Sequence, residues 1–312
     1  MRTIKHKLPA THEEWLQDRM KGIGGSDAGV ILGVNPWKSP YALWAEKTGL
    51  ADLSIKDNEP MRQGRDLEDY VARRFCEKEG KQVHRPGYSY QHPDHPWMRA
   101  NVDRLLIGEQ AGLECKTTSP LAAENLKNGI VNESYILQCV HYLAVTGLDR
   151  WYLCILPFQH EPQVFVIERD EEQIQTLIRA EEEFWQLVQD KTPPAVDGSL
   201  STKHALATLK IQPSPETLNL TPLTDELDRY AILKDQIIEL ESKAREYENR
   251  ICAFTKDNSW GETTDWMVSF EAETRDAIDE ECLKLQHPEI YSECLKSVSS
   301  RRLRIRKKKS ES

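Results

Sequence analysis

The sequence predicts an α/β (α+β) fold followed by a helical extension. Three observations predict it. Short β-patterned runs and longer helical runs alternate from about residue 11 to about residue 190. The run Trp151-Tyr152-Leu153-Cys154-Ile155-Leu156 is continuously apolar, as in a strand buried on both faces of a sheet. Beyond a polar stretch punctuated by Pro193, Pro194, Pro213, Pro215 and Pro222, apolar residues recur by three and four, the period of a long helix. The expected boundaries are 1–192 for the first domain, 193–222 for a Pro-rich linker, and 223–312 for a helical extension with a basic tail.

Composition narrows the class. With 312 residues and 39% hydrophobic content, the chain can bury a sizeable core and is not a disordered protein. No apolar run approaches the roughly 20 residues of a membrane span. The start, Met1-Arg2-Thr3-Ile4-Lys5-His6, lacks the apolar stretch of a signal peptide. Seven cysteines show no Cys-x-x-Cys pair and no zinc or iron–sulfur spacing, which reads as reduced thiols in a cytoplasmic protein. The net charge of −10 argues against non-specific nucleic-acid binding, but the positive charge is clustered.

In chain order, Thr11 caps a helix, with Glu14 completing a capping box. Arg19, Lys21 and the glycines Gly22, Gly24 and Gly25 lead to a short helix with Ser26 as its cap and Gly33 as its stop. A helix start reached through glycines offers free N–H groups to an anion, with Arg19 and Lys21 as fixed charge; an ordinary capped helix fits equally. A turn at Asn35-Pro36-Trp37-Lys38-Ser39-Pro40 precedes a helix from Tyr41 to about Thr48. The next helix runs from about Met61 to Glu79, with Leu67, Tyr70, Val71 and Phe75 toward the core. Glu68 lies at the edge of that stripe, either solvated or a ligand, and Arg62 and Arg65 about one turn earlier could meet phosphate. His92-Pro93-Asp94-His95 reads as a loop rather than a metal pair.

Two short strands follow, Asn101–Ile107 and Gly112–Lys116, joined by a turn at Gly108-Glu109-Gln110. Strand alternation points Glu114 and Lys116 to one face and Leu113 and Cys115 to the other. Asp103 on the neighbouring strand would bring a second carboxylate to Glu114 and Lys116. Two close carboxylates repel, a divalent cation relieves the repulsion, and hard oxygen ligands suit Mg²⁺ or Mn²⁺. Such a trio can perform metal-assisted phosphodiester hydrolysis, with the lysine holding the attacking water. A cross-strand salt bridge on a solvated face is the other reading.

A helix then spans about Glu133 to Val145, with Gln138 and Tyr142 one turn apart on one face. Strands at Arg150–Phe158 and Gln163–Arg169 and a helix from about Glu171 to Asp190 complete the domain. In the extension, Tyr230, Leu233, Ile237, Leu240, Ala244, Tyr247, Ile251 and Phe254 form a heptad seam. In the tail, Arg302, Arg304 and Arg306 alternate with Leu303 and Ile305, as in a strand with one basic face for a phosphate backbone or in a solubilising tail.

Five blocks occur in order: Gly22-Ile23-Gly24-Gly25-Ser26-Asp27-Ala28, Asn35-Pro36-Trp37-Lys38-Ser39-Pro40, Gly64-Arg65-x-Leu67-Glu68, Asp103…Glu114-x-Lys116 and Gln138-x-x-x-Tyr142. Together they resemble the YqaJ-type viral recombinase family, lambda-exonuclease-like nucleases of the PD-(D/E)xK superfamily, over roughly residues 11–170. The C-terminal region also resembles the extension of many such proteins. The resemblance implies a restriction-endonuclease-like core with a central mixed sheet flanked by helices. It implies two Mg²⁺ ions, the first held by Asp103, Glu114 and the backbone carbonyl of Cys115, the second with help from Glu68. Lys116 would orient the water, Gln138 and Tyr142 would line the site, and Arg19 with Ser26 would bind a 5′-phosphate. The implied activity is 5′-to-3′ resection of double-stranded DNA ends in a phage-infected or prophage-bearing bacterial cell. The implied partners are a single-strand annealing protein of RecT or Red-beta type and further copies of the chain, a trimer by analogy. Val102 stands where the superfamily often has Pro. An endonuclease of the same superfamily and a non-catalytic DNA-end binder remain as other readings.

Overall fold

The computed structural model describes residues 3–51, 58–210, 214, 216–295, 301 and 303–306. The chain divides into two units, Met1–Ile211 with Ser299–Ser312, and Gln212–Val298.

The first unit runs β1 (Ile4–Lys7), α1 (His12–Arg19), β2 (Ile23–Gly24), α2 (Gly25–Ile31), α3 (Pro40–Lys47), α4 (Glu59–Glu79), β3 (Val83–His84), β4 (Tyr88–Gln91), β5 (Met98–Ala100), β6 (Arg104–Leu106) and β7 (Ala111–Thr118). It continues through α5 (Pro120–Lys127), α6 (Glu133–Thr146), β8 (Arg150–Pro157), β9 (Gln163–Glu168), α7 (Glu171–Gln189) and α8 (Leu200–Thr208). Five strands form a sheet in the order β3-β6-β7-β8-β9. The β7–β8 pair is parallel and the other pairs are antiparallel, so the sheet is mixed. Parallel neighbours need a crossover, which α5 and α6 supply.

Side-chain alternation gives each face of this sheet its own core. On one face Leu113, Tyr152 and Cys154 pack with Val71, Ala72 and Phe75 of α4. On the other, Trp151, Leu153 and Ile155 pack with Cys139 and Leu143 of α6 and Ile174 of α7. Glu114 and Lys116 therefore project on the α6 side, opposite Leu113 and Cys115.

A smaller sheet, in the order β1-β4-β5-β2, lies in the same unit, and its β2–β5 pair is parallel with Gly24 opposite Arg99. A fully buried pair ties α6 to α7: His141 Nδ1 lies 2.8 Å from Glu181 Oε1, and its Nε2 lies 2.9 Å from the carbonyl of Arg99. α2 lies tightly against α6, because Gly29 faces Ser134 with no room for a side chain.

Several expectations need correction. The first strand of the central hairpin begins at Arg104, so Asp103 occupies the bend just before it. On α4, Val71 and Phe75 are buried, but Leu67 and Tyr70 are 36% and 39% exposed. The buried face of that helix turns on Val71, Ala72 and Phe75, and the Tyr70 ring instead carries the Arg73 guanidinium, 5.0 Å away. Inside the stretch read as linker, Ser199 caps α8 and Ala205 is fully buried among Tyr41, Leu43 and Phe184. The tail shows no strand among its described residues, and Arg302 lies outside them. Instead Arg301 N–H bonds the carbonyl of Ala207 at 3.0 Å.

The second unit holds a 3₁₀ turn (Thr221–Leu223), α9 (Thr224–Thr255), the hairpin β10 (Trp260–Glu262) and β11 (Met267–Ser269), α10 (Glu280–Gln286) and α11 (Pro288–Cys294). Seven of the eight seam residues of α9 are large apolar side chains at least 42% exposed, from Ile237 to Phe254 at 87%. Among the described residues no helix is long and apolar enough to cross a membrane.

A Cβ at Gly29 would come within 2.2 Å of Ser134 Oγ and 2.8 Å of its Cα. Backbone cannot yield as a flexible side chain does. Gly29→Ala should therefore cost roughly 1–3 kcal/mol of stability, read as a lower urea midpoint at unchanged m value.

Candidate active site

The register Arg104↔Leu113 brings Asp103, one residue upstream of β6, beside Glu114. Asp103 Oδ2 accepts the Cys115 N–H at 2.8 Å. Glu114 is buried, and its Oε1 accepts from Lys116 Nζ and from Gln138 Nε2, each at 2.7 Å. Its other oxygen, Oε2, is buried and has no hydrogen-bond partner. The Lys116 ammonium lies 5.0 Å from the centre of the Tyr135 ring.

The electrostatics follow from this crowding. Burial, then the charges of Glu114 and Glu68, raise the Asp103 carboxyl well above the usual carboxylate range, against the Cys115 N–H and Lys116. Burial opposes the charge on Lys116, but Glu114 and Asp103 outweigh it and raise its pKa above the ordinary lysine value. Burial, then Asp103 and Glu114, push the Cys115 thiol up, so it is no nucleophile near neutral pH.

Glu68 is close enough to act on Asp103, but its Oε1 accepts from Arg104 Nη1 at 2.5 Å and Arg85 Nη2 at 3.1 Å. Arg104 is nearly buried and also binds Asp69 and, at 2.6 Å, the carbonyl of Asp103. Among the described residues, no three His, Cys, Asp or Glu side chains stand ready as a ligand cluster. What is ready is a pair, Asp103 and Glu114, with one orphaned carboxylate oxygen. Those are hard oxygen donors with open positions, the kind Mg²⁺ accepts while keeping several waters. Drawing in Glu68 would require it to leave its arginines.

Gln138 and Tyr142, both buried on α6, continue the site. Gln138 Nε2 also reaches Tyr142 Oη at 2.8 Å, and that hydroxyl donates to the carbonyl of Asn101 at 3.0 Å. Burial, then Glu114 and Asp103, raise the Tyr142 phenol well above its ordinary value, which keeps it protonated.

Tyr142 is also a wall of a cavity of about 150 Å³ lined by Arg19, Gly24, Gly25, Ser26, Arg99 and Asn101. Gly25 is required there, since a Cβ would meet Tyr142 Cε1 at 2.5 Å. Arg19 is held by Asp27 (Nη2 to Oδ1, 3.2 Å) and lies 5.0 Å from the Trp15 ring. Asp27 is buried; its Oδ2 meets Lys47 Nζ at 2.8 Å and the Gly24 N–H at 3.1 Å. Lys47, also buried, donates to the carbonyls of Arg19 and Gly22, each at 2.7 Å. Burial alone would raise the Asp27 carboxyl, but Lys47 and Arg19 hold it below the ordinary value of 3.8.

Here the sequence reading needs a second correction. Gly24, not Ser26, is the N-cap of α2; Asp27 completes the cap, and Ser26 is exposed in the first turn. The charge of the cavity therefore comes from side chains, Arg19 and Arg99 set against Asp27 and Asp18. Arg62 and Arg65 are exposed on α4, and Arg304 and Arg306 are exposed in the tail; none lines the cavity. A larger groove of about 950 Å³ runs beside Phe165, Ile167 and Arg169, and none of the site residues lines it.

Residues 14–149 match the YqaJ-like viral recombinase domain. The YqaJ protein of Bacillus subtilis (strain 168) is 38% identical over 301 residues, which is 95% of this chain and 94% of that protein. The chain belongs to the YqaJ-like viral recombinase family. Among solved structures, the alkaline exonuclease LHK-Exo of Laribacter hongkongensis matches 57% of this chain and 93% of its own, with 22% identity and a TM-score of 0.50. The same protein in complex with dAMP matches over the same shares, with 21% identity and a TM-score of 0.47. The first of these likenesses establishes a shared fold.

Three residues escaped the sequence reading. Lys47 lies near the end of an expected helix and Arg104 in the middle of an expected strand, and no local pattern marks either. Arg99 carried a usable signal: Arg99, Asn101 and Asp103 recur at the two-residue period of one strand face.

Lys47→Met would leave Asp27 buried without its ammonium. Breaking a buried pair this way should cost about 3–5 kcal/mol at neutral pH. The Asp27 carboxyl is depressed in the folded state, so its contribution is full above 3.8 and is lost as pH falls toward the native value. The gap between wild type and Lys47→Met in denaturant titrations should accordingly narrow as pH drops below about 4.

Proposed function

We propose that this chain is a Mg²⁺-dependent deoxyribonuclease that resects double-stranded DNA from the 5′ end, leaving a 3′ single strand for annealing-type recombination. The observation that carries the reading is the meeting of Asp103, from the bend before β6, with Glu114 and Lys116 of β7, beside a cavity that holds Arg19 and Ser26. Family membership and the fold shared with an alkaline exonuclease support it.

Asp103 and Glu114 would hold the cation together with the carbonyl of Cys115, and Glu68 would serve a second. The bound cation would lower the pKa of a water and neutralise charge on the scissile phosphate. The protein does the rest. The Cys115 N–H fixes Asp103, and Gln138 fixes Glu114 through one oxygen, leaving the other for the cation. Lys116 stays charged, orients the attacking water and faces the negative charge that grows on the phosphate. Arg19 and Ser26 would take the terminal 5′-phosphate. Arg62, Arg65, Arg302, Arg304 and Arg306 would contact the DNA backbone further out. The same reading includes a ring-like homo-oligomer and a single-strand annealing partner.

Digestion of linear duplexes labelled at either end, with and without Mg²⁺, tests the proposal. Label should leave the 5′ end first, only with Mg²⁺, and closed circular DNA should survive. Release from the 3′ end, or cutting of circles, would replace it with another nuclease reading.

Lys116→Ala should lower turnover by about 10²–10³-fold or more while DNA binding persists in filter or anisotropy assays. Turnover near the wild-type rate would remove Lys116 from the chemistry.

Arg19→Ala or Ser26→Ala should slow digestion of 5′-phosphorylated ends more than of 5′-hydroxyl ends. Equal losses on both substrates would dismiss the terminal-phosphate pocket.

A further inference from the structure

We propose that Arg99 is the second cation of the terminal-phosphate cavity and that it selects a phosphate monoester over a hydroxyl end or an internal diester. This rests on the reading of the cavity given above, and it assigns a residue which that reading does not use.

The placement of Arg99 is fixed from both sides. Met98 and Ala100 are fully buried in the core, so alternation along β5 turns the Arg99 side chain out of the core. The parallel β2–β5 pairing sets Arg99 opposite Gly24, at the start of the Gly24-Gly25-Ser26 turn. Its carbonyl is held by His141 Nε2 at 2.9 Å. Its stem fits because Gly22 has no side chain; a Cβ there would stand 3.2 Å from Arg99 Cδ.

The guanidinium is only partly committed. Nη1 is paired with Asp18, while Nε is shielded from solvent and has no acceptor. A buried donor with no partner is costly, and a small turn of the side chain toward an anion in the cavity would give it one. Arg19 shows a matching arrangement, tethered through one nitrogen to Asp27. The cavity is thus lined by two forks, each steadied by one aspartate, and by Ser26 and Asn101.

That arrangement discriminates among phosphates. Asp18 and Asp27 offset the charge of the two arginines, so the cavity is not a general trap for the singly charged backbone. A terminal monoester has three free oxygens and, above its second ionisation near about pH 6, close to two negative charges. It can engage both forks and a neutral donor at once. A diester has two free oxygens and one charge, and a hydroxyl end has neither.

The test uses the full-length chain in EDTA and measures, by anisotropy, affinities for blunt duplexes bearing a 5′-phosphate or a 5′-hydroxyl, from pH 5 to 8. The wild type should prefer the phosphate, and the preference should shrink as pH falls through about 6. Arg99→Gln should cut the phosphate-to-hydroxyl ratio about tenfold, the loss of one charge-assisted hydrogen bond. It should also flatten the pH dependence and lower hydroxyl-end affinity much less than phosphate-end affinity. A merely structural Arg99 would weaken both ends alike, and that outcome overturns the proposal. So does a folded Arg99→Gln with an unchanged ratio. If Arg99→Gln does not fold, Arg99→Lys, whose single ammonium is already drawn to Asp18, should still lower the ratio; an unchanged ratio there overturns the proposal too. A wild type with no preference for phosphate removes the underlying reading of the cavity instead.

Discussion

Two carboxylates held side by side against their mutual repulsion are the constraint on which the rest of this structure depends. Asp103 and Glu114 lie next to each other, and burial together with the Glu114 charge raises the Asp103 carboxyl well above the usual range. The fold supplies three compensations: the Cys115 N–H, the Lys116 ammonium and the Gln138 amide. They stop short of complete satisfaction, since one oxygen of Glu114 is left without a partner. An unmet buried acceptor costs on the order of 1–3 kcal/mol. Strain of this kind collects where a protein handles charge.

The surrounding architecture explains how the pair is kept. A parallel β7–β8 pair obliges the chain to cross over, and the crossover lays α6 across the face that bears Glu114. α6 brings Gln138 and Tyr142, one turn apart, to the same spot. Packing α2 onto α6 then requires Gly25 and Gly29, because Tyr142 and Ser134 fill the space a side chain would need. The glycine-rich turn, Arg19, Asp27 and the buried Lys47 are positioned by that contact. On the opposite face, α4 carries Glu68 toward Asp103, and the buried Arg104 intercepts it. Arg104 is an internal counter-ion for this acidic cluster, beside Lys116 at Glu114 and the more exposed Arg85 at Glu68.

Much of this was legible in the sequence, and the failures have physical causes. Alternation placed Glu114 and Lys116 together because β7 is a regular strand. The same reading put Asp103 beside Glu114, where the structure has it, but inside a strand that begins only at Arg104, because the chain bends at Asp103. Helical periodicity identified α4 but assigned it too wide a buried face. A four-residue stripe fits several rotations, and only the sheet beneath fixes which one is buried. Cap preference chose Ser26 over Gly24, since glycine has no side chain to signal a cap; the carboxylate of Asp27, three residues on, completes it. The proline-rich stretch concealed α8, whose few apolar residues become core only once α3 and α7 are in place. Long-range ion pairs such as Lys47–Asp27 and Arg104–Glu68 leave no local pattern at all.

Tyr142 joins the two halves of the site, and this bears on why the proposed chemistry would start at an end. Its ring is a wall of the small arginine-lined cavity, while its hydroxyl belongs to the hydrogen-bonded chain that runs through Gln138 to Glu114. Tyr142, Gln138 and Glu114 are all buried, and the first two lie one turn apart on α6. The cavity wall and the carboxylates are therefore joined through side chains of one helix, α6. Under the proposed reading, a phosphate anchored in the cavity presents its neighbour along the strand at a set distance from Asp103 and Glu114. Effective concentration then favours attack next to an anchored terminus over attack in the middle of a duplex, which has no free phosphate to anchor.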